Sequence, residues 1–254
     1  METKRSIRER IWRLLEERGA AAFPLPPHGR IPNFKGADAA CRNLTSQKVF
    51  AEAEVVKINP DSPQRPCREA ALMYGKIVVM PTPRIKEGFL ILNPRLIPRY
   101  SYREASTIGG AFKWGTSAKP WELPRVDLVI VGSVAVNPHT GRRLGKSHGY
   151  AELEWGMLSL FNKVGEDTPV ATSVHDLQLV EDEIPLEPFD LTVDVVATPT
   201  RVYFVNRADR RPRGIFWEYI TEDLEREIPL LQEIKKKLVA SILFLLPLLG
   251  FVLV

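Results

Sequence analysis

The chain has 254 residues, 44% of them hydrophobic and 26% charged, with a formal net charge of +4. That is an ordinary globular composition, large enough for one sizeable core or one domain with a small appendage. Its mild basicity suits a polyanionic partner, nucleotide or nucleic acid alike. Cys41 and Cys67 lie far apart with no CxxC pair and no secretory signal ahead of them. This favours a reducing, cytoplasmic setting and argues against a disulfide framework or a zinc site.

Residues 1–18 read as an amphipathic helix ended by Gly19, with Ile7, Ile11, Trp12, Leu14 and Leu15 on one face. Lys4 and Arg8, spaced i and i+4 on the basic remainder, either sit on a solvated face or reach one phosphate group together. The stretch 23–34, rich in proline and glycine, is a surface loop. A second helix is expected over 36–50 and a strand over 53–58. That strand runs into the polar loop 59–66, and in open α/β sheets ligands bind at such carboxyl ends. A helix over 66–74 closes at Gly75, and strands follow at 76–80 and 89–92. No pattern dominates 93–124, where Trp114 and Trp121 either cover a ligand or close the core.

The central stretch is 127–154, DLVIVGSVAVNPHTGRRLGKSHGYAELE. A buried strand at Leu128–Val131 turns through Asn137, Pro138 and Gly141 into a basic segment spaced by glycines. Helical spacing begins near Gly149. Strand, cationic glycine-rich loop and helix N-terminus together make a phosphate-binding arrangement, although the spacing is neither Walker A nor GxGxxG.

Beyond it, 169–173 is a further strand leading to His175 and Asp176, which read as a polar strand end rather than a catalytic pair. Residues 190–199 predict a strand with Asp194 on its own face, a carboxylate that must be exposed or paired with a cation. Residues 201–206 and 214–219 read as a terminal hairpin, and 222–237 as a charged helix interrupted or restarted at Pro229. The last 17 residues, 238–254, carry no charge and follow three lysines. As a helix they would reach about 26 Å, short of a ~30 Å hydrocarbon core. They are either a membrane tail anchor or a segment that packs on the protein or a partner. The alternation of strands and helices predicts a three-layer α/β/α, Rossmann-like fold with a mostly parallel sheet. The expected division is a domain over 1–220, a charged helix over 221–237 and the hydrophobic tail 238–254.

The segment 141–150, GRRLGKSHGY, resembles the 5-formyltetrahydrofolate cyclo-ligase (methenyltetrahydrofolate synthetase) family, which carries G-x-R-L-G-x-G-x-G-Y-Y-D after an apolar strand. Three further elements agree in order. Lys4-Arg5-Ser6-Ile7-Arg8 is similar to the family's K-x-x-L-R helix start, Gly75-Lys76 with Pro81 to its G-K-x-x-x-x-P, and 190–198 to its D-x-x-V-D-x-V-x-T element. The resemblance implies an ATP- and magnesium (Mg2+)-dependent ligase of one-carbon metabolism acting on 5-formyltetrahydrofolate or a related pterin. ATP would phosphorylate the formyl oxygen, N10 would attack the activated carbon, and loss of phosphate would leave 5,10-methenyltetrahydrofolate. Such chemistry needs charge stabilisation more than a covalent nucleophile.

By motif position, Lys4 and Arg8 would contact ATP phosphates. Gly141, Arg143, Leu144, Gly145, Lys146, Ser147, His148 and Gly149 would form the nucleotide loop, with Arg143, Lys146 and Tyr150 acting in catalysis. Tyr150 would also meet the folate, as would Asp61, and Glu152 and Asp194 would hold magnesium. The chain departs from the family pattern at three positions: Ser147 replaces the third motif glycine, Ala151 the second tyrosine and Glu152 the aspartate. Ser147 fits only a negative φ without strain. With NPDSPQ and GRIPNFKGA, the altered segment is closer to the divergent methenyltetrahydrofolate synthetase domain-containing branch. The alternative reading is a nucleotide- or RNA-binding regulatory module that kept the fold and lost the chemistry.

Overall fold

The computed structural model describes residues 3–249, with side chains through Ser241. Helix α1 (Lys4–Glu17) opens on a capping box between Thr3 and Ser6 and buries Ile7, Ile11, Trp12 and Leu15. The expected second helix is two: α2 (Ala37–Thr45) and α3 (Lys48–Ala51). Then come β1 (Val55–Ile58), α4 (Arg65–Met73), β2 (Ile77–Pro81) and β3 (Phe89–Leu92). The stretch that showed no pattern folds into two short helices, α5 (Tyr102–Ala105) and α6 (Ile108–Trp114), and a strand, β4 (Thr116–Ala118). The centre of the chain supplies β5 (Leu128–Val131), β6 (Ala135–Val136), β7 (Arg143–Leu144) and α7 (Tyr150–Leu160). The remainder is β8 (Val170–Ser173), β9 (Val195–Ala197), β10 (Val202–Phe204), α8 (Glu222–Glu227) and α9 (Leu230–Leu249).

The main sheet has eight strands in the order β10-β9-β8-β5-β1-β2-β3-β4. The β1–β2, β1–β5, β5–β8 and β8–β9 pairs are parallel, and the flanking pairs to β3, β4 and β10 are antiparallel. Alternation sorts the side chains into two layers. Val56, Ile58, Val78 and Leu128 pack with α2 and α4, whereas Val55, Val79, Val129 and Val170 pack with α7. Ile228, Leu230, Leu231 and Ile234 of the C-terminal segment join that second core. The sheet therefore has helices on both faces, as expected.

Three expectations are corrected. The strand over 190–199 shrinks to Val195–Ala197. The reason is local: Asp194 exchanges its backbone and side chain with Val170, and Val193 donates its N–H to Gly141 O instead of to a strand. The terminal hairpin does not form; β10 pairs with β9, and Trp217–Tyr219 is a short helical turn. Cys41 and Cys67 are joined in a disulfide between α2 and α4. Sequence separation hid this pairing, because packing of the two helices on one sheet face brings the cysteines together.

Among the described residues no helix is long and apolar enough to cross a membrane. The expected tail 238–254 lies partly outside the described residues, which end at Leu249 within α9.

Candidate active site

Strand β1 hydrogen-bonds β2 on one side and β5 on the other, so the chain order reverses about β1. At such a switch point the loops leaving neighbouring strands diverge and open a crevice at their carboxyl ends. A cleft of about 270 Å³ lies there. Its lining comes from the loop after β1 (Asn59, Pro60, Asp61, Ser62), the loop after β2 (Thr82, Pro83, Arg84), Gly132 after β5, and the segment 143–154.

Buried charges support this lining from beneath, Glu154 reaching it directly. Lys57, pointing from β1 toward α7, is 1% exposed and ion-pairs with Glu154, which is 4% exposed. The same ammonium donates to Asn59 Oδ1 at 2.6 Å. Burial pushes the Glu154 carboxyl up, against the pull of Lys57. Arg68, fully buried on α4, donates to the carbonyls of Asn59 and Asp61 and so fixes the course of the β1 loop. Its burial lowers its pKa to about 9.

The wall is the glycine-rich segment. Arg143 on β7 is buried and donates to Glu152 Oε1 at 2.8 Å and to Gly132 O at 3.3 Å. Its Nε–H has no partner among the described residues. A buried guanidinium N–H without an acceptor suits a cleft that receives an anion. Lys146 stands 3.9 Å from Asp61. Gly149 takes φ +68° and precedes α7 with no side-chain cap, leaving the first helical N–H groups without a side-chain acceptor beside the cleft. Ser147 takes φ +93°, so the condition of a negative φ is not met. A serine here carries the strain that a glycine would avoid.

Tyr150 stacks on His148, ring centroids 5.7 Å apart and planes 15° apart. Its hydroxyl donates to Glu227 at 2.9 Å. Burial, then this carboxylate, push the phenol up to about 12, so it stays protonated.

Two further pockets adjoin the loop. One holds Lys4 and Arg8 with Arg143, Leu144, Gly145, Ser147 and Glu152. Arg8 donates to Gly145 O at 2.6 Å, and Lys4 ion-pairs with Asp190. Burial lowers the Arg8 pKa. The other is apolar and aromatic, with Phe189, Phe216, Tyr219, Leu153 and Ile220 around the N-terminal turns of α7.

The structure thus gathers Asp61, Arg143, Gly145, Lys146, His148, Gly149, Tyr150 and Glu152 at the main cleft. Lys4, Arg8, Leu144 and Ser147 lie next to it. Two predicted residues are elsewhere. Gly141, at φ +73°, abuts Val193, where an added Cβ would meet the Val193 carbonyl at 2.2 Å, so its glycine serves the chain path. Asp194 lines neither pocket. It accepts from Arg207 at 3.2 Å, from Arg211 and from the Val170 N–H at 2.8 Å. The cation its charge requires is arginine.

Magnesium takes one or two carboxylates together with phosphate oxygens. Glu152 is engaged by Arg143 and Asp194 by two arginines. No group of three or more ligating side chains able to hold a metal occurs among the described residues. The donor set therefore does not fit a protein-built magnesium site.

His175 and Asp176 form a polar strand end. His175 Nδ1 accepts the Leu177 N–H, and Asp176 accepts from Thr198 and Thr200. Trp114 and Trp121 line none of these pockets. Sequence reasoning missed Lys57, Glu154, Arg84, Gly132 and Glu227. Lys57 and Glu154 did carry a signal, each being a charge inside an otherwise apolar run.

The chain matches the family model of 5-formyltetrahydrofolate cyclo-ligases over residues 1–199. It is 40% identical over 238 residues to a Mus musculus methenyltetrahydrofolate synthase domain-containing protein, covering 92% of this chain and 64% of that one. The Homo sapiens protein of the same name is 39% identical over 238 residues, with 92% and 62% covered. The chain spans just under two thirds of the length of these relatives. The solved structure of Aquifex aeolicus 5,10-methenyltetrahydrofolate synthetase is similar in fold, with a TM-score of 0.50 at 18% identity over 81% of this chain and 94% of that one. The chain belongs to the 5-formyltetrahydrofolate cyclo-ligase family.

Proposed function

We propose that this member of the cyclo-ligase family carries out the family's chemistry: ATP-dependent conversion of 5-formyltetrahydrofolate, or a related pterin, to the 5,10-methenyl form. The observation that carries the reading is the buried Arg143, whose unpartnered Nε–H stands at the uncapped start of α7 between a polar cleft and a cationic pocket.

In this reading ATP phosphates lie against Lys4, Arg8, Arg143 and the backbone of 145–149. The aromatic pocket of Phe189, Phe216 and Tyr219 takes the flat base. The pterin occupies the main cleft between Asp61, Arg84 and the face of Tyr150. The formyl oxygen attacks the terminal phosphorus and ADP leaves; N10 then attacks the formyl carbon and phosphate departs. Lys146 and Arg143 counter the charge that builds on the transferred group, the dominant requirement of phosphoryl transfer. With Glu152 and Asp194 paired to arginines, Lys146 and Arg143 are the charges the chain itself supplies to that group. Tyr150, kept protonated, acts as an aromatic wall and not as a base.

The test is incubation of the full chain with 5-formyltetrahydrofolate, ATP and magnesium, following methenyl absorbance and ADP release. The expected result is product formation abolished by Arg143→Ala. Absence of product, together with no ATP binding by calorimetry, removes the reading.

A further inference from the structure

The family match ends at residue 199, yet the chain continues and returns to the cleft. Glu227 is the last residue of α8. Its Oε1 accepts the Tyr150 hydroxyl at 2.9 Å and lies 3.5 Å from Arg84 Nη1. Tyr150 and Arg84 both line the main cleft, one from the start of α7 and the other from the loop after β2. One carboxylate therefore ties two walls of the cleft together.

Its placement is not incidental. Ile228, Leu230 and Leu231, which follow directly, are buried in the core under α7. They fix where α8 ends and hence where Glu227 points. The Arg84 loop is also held in a costly shape: Arg84 has φ +57° and Ile85 φ +55°. Non-glycine residues adopt this region only where the surroundings impose it, and for a β-branched residue such as Ile85 it is an outlier. The buried Ile85 side chain anchors the loop from below, so Arg84 is presented outward at the cleft mouth.

Stability does not explain the contact. Arg84 is 64% exposed and Glu227 32% exposed, and exposed ion pairs contribute little. What the contact does is directional. Tyr150 gives its only O–H to Glu227, which fixes the ring that stacks with His148 at the cleft. Arg84 uses one N–H on Glu227, and its guanidinium carries four more donors.

We propose that Glu227 is a positioning residue of the cleft: from beyond the family-matched region it fixes the Tyr150 ring and the Arg84 guanidinium, and thereby the grip on a substrate that combines a flat ring with a carboxylate. The inference rests on the reading of the cleft given above.

Two measurements on the full chain decide it. The first uses tyrosine labelled with 13C at Cζ, the Tyr150 line being identified by its loss in Tyr150→Phe. In the wild type that line stays at its protonated position through pH 11. In Glu227→Gln it titrates lower, by on the order of one pH unit, the size of one lost neighbouring charge. The second measurement is turnover. Glu227→Gln raises KM for 5-formyltetrahydrofolate roughly tenfold, as one charged hydrogen bond predicts, with a much smaller change in kcat. Arg84→Gln raises KM likewise and keeps the Tyr150 line at its protonated position, since that cation pulls the phenol down, which covers the case of a poorly folded Glu227 variant. A Tyr150 line unmoved by Glu227→Gln overturns the proposal, as does an unchanged KM in an active enzyme. If the wild type makes no product and binds no ATP, the reading of the cleft fails, and the Tyr150 line alone decides the role of Glu227.

Discussion

Substitution of Lys57 by methionine probes the floor of the cleft most directly. Lys57 and Glu154 are 1% and 4% exposed and face each other across β1 and α7. Removing one member of such a buried pair costs about 3–5 kcal/mol, because the other charge is left without a partner. Glu154 has an escape, which is to take up a proton. Holding a carboxyl protonated at pH 7, when its unfolded pKa is near 4.3, costs about 3.7 kcal/mol at 1.36 kcal/mol per unit. That figure sets the expected loss at pH 7. The sign follows from the raised folded pKa of Glu154, whose first cause is burial. A group with a raised folded pKa contributes stability that is full below its unfolded pKa and is lost as pH rises through the folded one. The loss in Lys57→Met should therefore shrink by about 1.4 kcal/mol per unit as pH falls from 7 toward 5. Urea unfolding at both pH values reads this, with a midpoint about 1–2 M lower at pH 7 for an m-value near 2–3 kcal/mol/M. The double variant Lys57→Met with Glu154→Leu should recover most of the stability, since an apolar pair of similar volume replaces a costly ionic one. It should not recover turnover, because Asn59 and Glu154 both line the cleft. A Lys57→Met protein within about 1 kcal/mol of wild type at both pH values would refute the reasoning, and so would a loss that ignores pH.

Ser147→Gly should raise stability by about 0.5 kcal/mol, the relief of a φ of +93° outweighing the added chain entropy, as measured by urea midpoint. Reduction of the Cys41–Cys67 disulfide, which closes a separation of 26 residues, should cost about 3.5 kcal/mol and roughly 10 °C in Tm. Thiol titration of the unfolded chain should find no free thiol before reductant and two after it. Glu152→Asp withdraws the carboxylate by roughly 1 Å or more from Arg143, now met at 2.8 Å, and should lower turnover by up to ~100-fold. A gain in rate would instead show that this contact holds Arg143 back.

What could be read in advance was local in origin. The strands at 55–58, 77–81 and 128–131 announce themselves as short apolar runs, and Gly149 marks the start of α7, where the chain enters the helix at positive φ. The parts that stayed hidden are made by contacts between distant segments. Asp194 illustrates the limit: a carboxylate in an apolar run demands a cation, but only the fold reveals that Arg207 and Arg211, between the two arms of the expected hairpin, pair with it. The same rule, applied to Lys57 inside Val-Val-Lys-Ile and to Glu154 inside the apolar stretch of α7, would have posed the question without pairing the two. Their 97-residue separation leaves nothing in either sequence neighbourhood to suggest the match. Glu227 is harder still. It sits among other acids in 222–227, a pattern that describes an exposed helix equally well. Only the burial of Ile228 and Leu231 turns that helix end toward Tyr150. Buried or outlying charges thus mark where a site needs a partner, and apolar packing decides which partner arrives.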